Sequence, residues 1–264
     1  MLNTEKFELR KKKIQEEQVL NLFDCGGFRF TETWFPYTSG QVGNYYVQSI
    51  DICRNGDMYA LAIEHMIEVI RHEVGIDNFD IISGGESRDW DFSNPIAVAL
   101  HKPHTKLYKD GKMIGAPVEG KIVLHIADLN NEGSSPRDFW VPAIRKAGGI
   151  IEHVVFYVDR MEDGIREMRN IGLASHAVLP LDTMAWDILC SHQHISPEIH
   201  FSLMERWKDK TKWAHKALLT YPEQLMIMSM GDNVSQAKAL KILDKGYPEI
   251  KSALLTRIEK LRNQ

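Results

Sequence analysis

From Phe79 onward the chain alternates short apolar runs with helical patterns, and this rhythm limits its fold more than any other feature. The apolar runs are Phe79–Ile82, Lys121–Ile126, His153–Val158 and Ala174–Leu179. Helices are expected between them at about 94–101, 136–148 and 160–171. Strands this short and this apolar have no wet face, so both faces need cover, and the intervening helices supply it. The expected fold is α/β, a mainly parallel twisted sheet flanked by helices. In such sheets ligands gather beyond the carboxyl ends of the strands. The turn after each apolar run is therefore where chemistry is sought.

The flanking segments read differently. Leu9, Ile14, Val19, Leu20 and Phe23 recur near helical spacing, and Gly26-Gly27 stop the pattern, which predicts a helix over 5–24. Residues 28–50 are aromatic and turn-rich, with turns at Ser39-Gly40 and Gly43-Asn44 between short strands. A helix is expected at about 57–74. From about 181 only helical patterns remain, with Pro197, Pro222 and Pro248 at helix starts or breaks. The organisation expected is an α/β domain over 1–190, including the aromatic segment, and a helical C-terminal extension over 191–264.

Composition excludes several classes. The 264 residues are 44% hydrophobic and 26% charged, as in globular domains and unlike disordered chains. Three cysteines, odd in number and far apart, do not make a disulfide scaffold and suit a reducing, cytoplasmic setting. A net charge of −4 argues against a dedicated nucleic-acid binder. No apolar run approaches the roughly 20 residues of a membrane span, and MLNTEKFELRKKK lacks the apolar core of a signal peptide.

Three turns could carry chemistry. Ile122–Asp128 is a buried strand, and Asn130, Asn131, Glu132, Gly133, Ser134 and Ser135 lead from it into a helix at Pro136. A helix start offers free N–H groups and a positive dipole end, which suit a phosphate, and Asp128 could hold sugar hydroxyls. Ser135 with Asp138 resembles a capping box. An ordinary capped turn fits the same pattern. The second turn, Ser83-Gly84-Gly85-Glu86-Ser87-Arg88-Asp89-Trp90, comes after the run ending at Ile82. Its glycines let backbone amides approach a ligand closely, and Arg88 could meet a polyphosphate. The third is Lys109-Asp110-Gly111-Lys112, with Gly115 beyond it, either a loop closing over an anion or an exposed hairpin.

Together these features resemble the type I phosphoribosyltransferases, most closely the orotate-specific members. Ala127–Ser135 matches the ribose 5-phosphate loop, Lys109, Lys112 and Gly115 match a K-x-x-K-x-x-G loop, and Phe35, Ser39, Gly40, Tyr45 and Tyr46 match an aromatic N-terminal segment. Asp159-Arg160 matches a strand end whose arginine contacts orotate, and 83–90 lies where the pyrophosphate loop does. The resemblance covers about residues 18–190. It implies transfer of ribose 5-phosphate from phosphoribosyl pyrophosphate to orotate or a related base, with Mg²⁺ arriving on the substrate. It assigns catalysis to Lys109, Lys112 and Asp128. It assigns substrate binding to Phe35, Ser83, Gly84, Gly85, Arg88, Asn131, Glu132, Gly133, Ser134, Ser135 and Arg160. It also implies a homodimer, in which the lysine loop reaches the neighbouring subunit's site.

The chain departs from that pattern at Ala127, where the first acid of the ribose motif belongs, and at Glu132, an anion in a phosphate loop. Thr38, Tyr108 and Ile114 replace two basic residues and a histidine. These departures keep a second reading open, a non-catalytic phosphoribosyltransferase-like protein that binds a phosphorylated ligand. Cys190, His192, His194 and His200 match no established zinc spacing, and no Walker A, HExxH or G-x-S-x-G run is present.

Overall fold

The computed structural model describes residues 2–263, with side chains described from Glu5. The chain forms two compact units, Met1–Gly27 with Gln48–Ile188, and Phe28–Val47 with Leu189–Gln264. The expected boundary at 190/191 lies close to one of these junctions. The aromatic segment, however, groups with the C-terminal helices and not with the sheet.

Along the chain, α1 (Leu2–Asp24) precedes the hairpin strands β1 (Phe28–Pro36) and β2 (Val42–Val47). Then come α2 (Gly56–Val69), β3 (Ile81–Gly85), α3 (Asp89–Ala99), β4 (His104–Leu107), β5 (Met113–Gly115) and β6 (Ile122–Asn130). After them lie α4 (Val141–Lys146), β7 (Ile150–Asp159), α5 (Asp163–Asn170) and β8 (Ala174–Pro180). The rest is helical: α6 (Thr183–Ser191), α7 (Pro197–Lys208), α8 (Lys210–Thr220), α9 (Glu223–Met230), α10 (Asn233–Lys241) and α11 (Lys251–Arg262).

In the first unit β3 to β8 form one sheet in the order β5-β4-β3-β6-β7-β8. All neighbours are parallel except β4 and β5. The Lys109–Lys112 turn joins β4 and β5 as a hairpin, one of the two forms expected for it, though the strands themselves are too short for an alternation to register. The central strand β6 is buried along most of its length, as a strand covered on both faces must be. On one face Trp140, Val141 and Ile144 join Met168 of α5 against Val123, Ala127, Val154 and Phe156. Helices α1, α2 and α3 pack against strands β3, β6, β7 and β8. Asn55 caps α2 by accepting the N–H groups of Asp57 and Met58 at 3.0 and 3.1 Å.

The second unit has its own core. Trp34 and Val42 of the hairpin pack with Trp213, Leu218, Leu225, Ile242, Tyr247 and Leu254. Trp34 Nε1 donates to the Tyr221 carbonyl at 3.1 Å, and Tyr247 donates to Gln41 Oε1 at 2.9 Å. A lone two-stranded hairpin is marginal in water, and these helices bury its apolar side chains. Ser196, Asp209 and Asp232 cap α7, α8 and α10. Pro197 sits in the first turn of α7, as its place in the sequence predicts.

Candidate functional site

The sheet order locates the site. After β3 the chain crosses to β4 on one side; after β6 it crosses to β7 on the other. Two connections that part in this way leave a crevice between the carboxyl ends of their strands. A cleft of about 290 Å³ lies there. Glu86, Ser87, Arg88 and Asp89 line it from beyond β3, and Ala127, Asp128 and Leu129 from β6. Ser135, Pro136 and Trp140 line it from the turn after β6, and Lys109 from the β4–β5 turn. Residues from all three turns singled out in the sequence thus meet at one place.

Asp128 is held on two sides. Ser49 donates its hydroxyl to Asp128 Oδ2 at 2.6 Å, and the Asp128 N–H donates to Asp89 Oδ1 at 2.9 Å. Burial and then the adjacent Asp89 carboxylate push the Asp128 carboxyl up to about 7, against a smaller opposite pull from Ser49 and Arg88. Asp89 is 7% exposed, and its Oδ2 accepts the Gly85 N–H at 3.0 Å. His125 Nε2 faces the same oxygen at 3.6 Å and has no hydrogen-bond partner. His125 Nδ1 shares a hydrogen bond with Ser83 Oγ at 2.9 Å.

The cations sit at the mouth. Arg88 is exposed and donates to Gln48 Oε1 at 3.4 Å. Lys109 is exposed, and its N–H donates to Glu86 Oε2 at 3.1 Å, tying the β4–β5 turn to the turn after β3. That turn is closed by Tyr108 N–H to Lys112 O and Gly111 N–H to Tyr108 O, both at 2.9 Å, with Gly111 at φ +87°. The lysines therefore stand on an exposed hairpin whose tip borders the cleft.

Other predicted residues lie elsewhere. Ser83, Gly84 and Gly85 are buried within β3. A Cβ on Gly84 would come within 2.2 Å of Ser93 Oγ, and one on Gly85 within 2.2 Å of Trp140 Cε2. What presses on these glycines is protein, in contrast to the ligand expected there. Lys112 is exposed, its Nζ 5.7 Å from the Tyr108 ring centre, and does not line the cleft. Asn131, Glu132, Gly133 and Ser134 form the turn before Pro136 without lining the cleft wall. Gly133 takes φ +69°, and its carbonyl accepts the Arg137 N–H at 3.1 Å. The half-buried Glu132 makes no ion pair with Arg137, whose closest partner is Asp138 at 2.7 Å. The capping box does not form: Ser135 already has helical dihedrals and makes no side-chain cap bond, and the Asp138 carboxylate is engaged by Arg137. Arg160 is 5% exposed and pairs with Glu162 at 2.9 Å. Phe35 lies on β1, opposite Gly43, in the second unit.

Sequence reasoning includes Asp89 in the turn 83–90 without giving it a role, and does not single out Ser49 or His125; the helix expected at about 94–101 begins at Asp89. The contact of Asp89 with β6 becomes visible only when β3 and β6 are paired. The Cys190, His192, His194 and His200 group holds no metal-binding geometry: among the described residues no three His, Cys, Asp or Glu are placed to bind an ion. No described helix is long and apolar enough to cross a membrane.

No protein-family model matches the sequence. The chain is 30% identical over 145 residues to an orotate phosphoribosyltransferase of Sulfolobus acidocaldarius, covering 53% of this chain and 71% of that one. It is 26% identical over 210 residues to that of Staphylothermus marinus, covering 77% and 99%. Among solved structures, the orotate phosphoribosyltransferase of Aeropyrum pernix superposes with a TM-score of 0.58 at 19% identity, covering 67% of this chain and 99% of the other.

Proposed function

The chain belongs to the orotate phosphoribosyltransferase family, and from that premise we propose that it transfers ribose 5-phosphate from phosphoribosyl pyrophosphate to orotate or a closely related base, releasing pyrophosphate. The observation that carries the reading is the cleft at the β3/β6 switch point, where Arg88, Lys109, Asp128 and Ser135 converge. A sugar bearing a phosphate at one end and a pyrophosphate at the other needs a helix start, an acceptor for hydroxyls and cations, in that arrangement.

The chain's own groups divide the work. The turn 131–135 leads into the helix at Pro136; Pro136 has no N–H and the Arg137 N–H is bonded to Gly133, so the backbone N–H groups of the turn itself are the ones assigned to the 5-phosphate. Asp128 accepts the ribose hydroxyls, and its ionised form favours the positive charge that develops on the sugar as the bond to pyrophosphate breaks. Arg88 and Lys109 take up the charge of the departing pyrophosphate, and Lys112 joins them when the hairpin tip closes. The base nitrogen attacks directly, so no protein nucleophile is needed. Mg²⁺ arriving with the substrate would supply neutralisation of the negative charge on the leaving pyrophosphate. For Arg160 to meet a base carboxylate with a two-pronged bond, Glu162 must give way. A cytoplasmic homodimer is the assembly proposed.

The test is loss of orotate absorbance in the ultraviolet with the purified full chain. Loss that requires both phosphoribosyl pyrophosphate and Mg²⁺ supports the enzyme. A second reading rests on Glu132 and Ala127: a protein that binds the phosphorylated sugar without turning it over. Calorimetric binding of phosphoribosyl pyrophosphate with no consumption of any pyrimidine or purine base would establish that reading instead.

A further inference from the structure

Beneath the cleft a polar chain runs from one central strand to its neighbour and out to the wall. Ser83 on β3 bonds His125 on β6 at 2.9 Å, and the far nitrogen of that ring faces Asp89 at 3.6 Å. Asp89 accepts the N–H of Gly85 through one oxygen and that of Asp128 through the other. Ser83, His125 and Asp89 are 0%, 1% and 7% exposed. Burying three polar groups is costly unless they are joined. Ser83 and His125 stand at strand positions that apolar residues fill in ordinary covered sheets, so the sheet alone does not require them.

We infer that Asp89, backed by His125 and Ser83, is a positioning residue that fixes Asp128 in the cleft wall and governs whether Asp128 carries its proton. The geometry has two effects. First, Asp89 bonds backbone groups at the ends of both β3 and β6, so one carboxylate holds the two lips of the crevice in register. Second, its negative charge lies against Asp128, and two adjacent carboxyls resist ionising together. The groups facing Asp128 are Ser49 from the 3₁₀ turn Ser49–Arg54, Arg88 from the turn after β3, Asp89 from α3 and, across the mouth, Lys109. Arg88 and Ser49 favour the ionised form; burial and Asp89 oppose it. A bound pyrophosphate would occupy Arg88 and Lys109, so the balance of charge on Asp128 changes with the state of the cleft. The assignment to ribose chemistry rests on the proposed transferase reading; the Asp89–Asp128 coupling does not.

The experiment tracks the carboxyl carbon-13 signal of Asp128 in aspartate-labelled, ligand-free full-length protein, assigned by its loss in Asp128→Asn. In the wild type the signal titrates near neutrality. In Asp89→Asn the neighbouring charge is gone, and the proton affinity of Asp128 falls about tenfold or more, a midpoint lower by about one unit or more. Asp89→Ser, which keeps a smaller acceptor, moves it the same way and serves if the asparagine variant does not fold. In turnover assays the acid limb of kcat/KM moves down by the same amount. A merely structural Asp89 would lower the rate and leave the midpoint in place. A folded Asp89 variant that titrates like the wild type overturns the inference, as does a wild-type Asp128 with no midpoint between about pH 5 and 9. A shifted midpoint in a protein that turns over no base leaves the inference standing and removes the transferase reading.

Discussion

Replacing Gly85 by alanine separates two reasons for a glycine at the end of β3. The added Cβ would lie 2.2 Å from Trp140 Cε2 and 2.5 Å from Cζ2. Carbon atoms in contact sit about 3.5–4.0 Å apart, so the indole or the strand must yield by about 1.5 Å. Trp140 is 2% exposed and packs with Val141, Ile144 and Phe156. Moving the ring disturbs that packing, and overpacking of this kind costs about 1–3 kcal/mol. For a domain of this size each kcal/mol lowers the melting midpoint by roughly 2–4 °C, giving a fall of about 2–12 °C. Calorimetric melting without ligand measures it. Because Trp140 also lines the cleft, binding of phosphoribosyl pyrophosphate weakens as well. If the glycine were there only so that a ligand could approach the backbone, ligand-free stability would be unchanged. An alanine variant that melts with the wild type but no longer binds would therefore refute the packing argument.

Lys109→Ala and Lys112→Ala should each lower kcat on the order of a hundredfold with little effect on base binding; wild-type turnover in both would remove the hairpin tip from the reaction. Arg160→Ala should weaken orotate far more than phosphoribosyl pyrophosphate in calorimetric titrations, and an equal loss of both would deny it a role at the base. Glu132→Thr should leave phosphoribosyl pyrophosphate affinity within a few fold if the phosphate is held by backbone N–H groups, whereas binding that appears only in the variant would show a site closed by its own charge. His104 gives a pH prediction. Burial first, then Lys106 and His125, pushes its imidazole down to about 4, while it bonds Ser93 at 2.9 Å. The unfolded chain takes up this proton near 6.5 and the folded chain only near 4, so stability present above 6.5 is lost as pH falls toward 4. Denaturant midpoints of His104→Gln should fall less than those of the wild type across that window.

The parts of this molecule that can be read from the sequence are those with local causes. Strands β6, β7 and β8 announce themselves because a strand covered on both faces is apolar at nearly every position, as Val154–Val158 is. Helix starts at proline and glycine stops are likewise local. The short strands β4 and β5 at one side of the sheet have too few residues for a pattern. The placing of Phe28–Val47 fails for a different reason. Trp34 and Val42 are apolar wherever they pack, and their neighbours Trp213 and Leu225 lie far along the chain. At the site, Asp128 and Arg88 are legible because charged residues in turns have few structural uses. Asp89 is not, since its bond to the Asp128 N–H spans 39 residues. The glycines at 84 and 85 point to the right property and the wrong neighbour. A missing Cβ shows only that something comes close, and here Ser93 and Trp140 do.

The two-piece makeup of the second unit has a consequence for how the chain is born. Trp34 finds its carbonyl partner 187 residues later, at Tyr221, and the Val42 N–H finds the Tyr247 hydroxyl after 205. At about 5–20 residues per second, a ribosome takes on the order of ten seconds or more to cover such a distance. For that interval Trp34 lacks its partner carbonyl, and once the chain has passed Pro180 every strand of the sheet has been made while Tyr221 and Tyr247 have not. The hairpin must stay unsatisfied and yet avoid joining the open edge of that sheet. Its bulged register between Phe30 and Phe35 and Pro36 at its end are poor templates for strand addition, which guards a newborn chain during the wait.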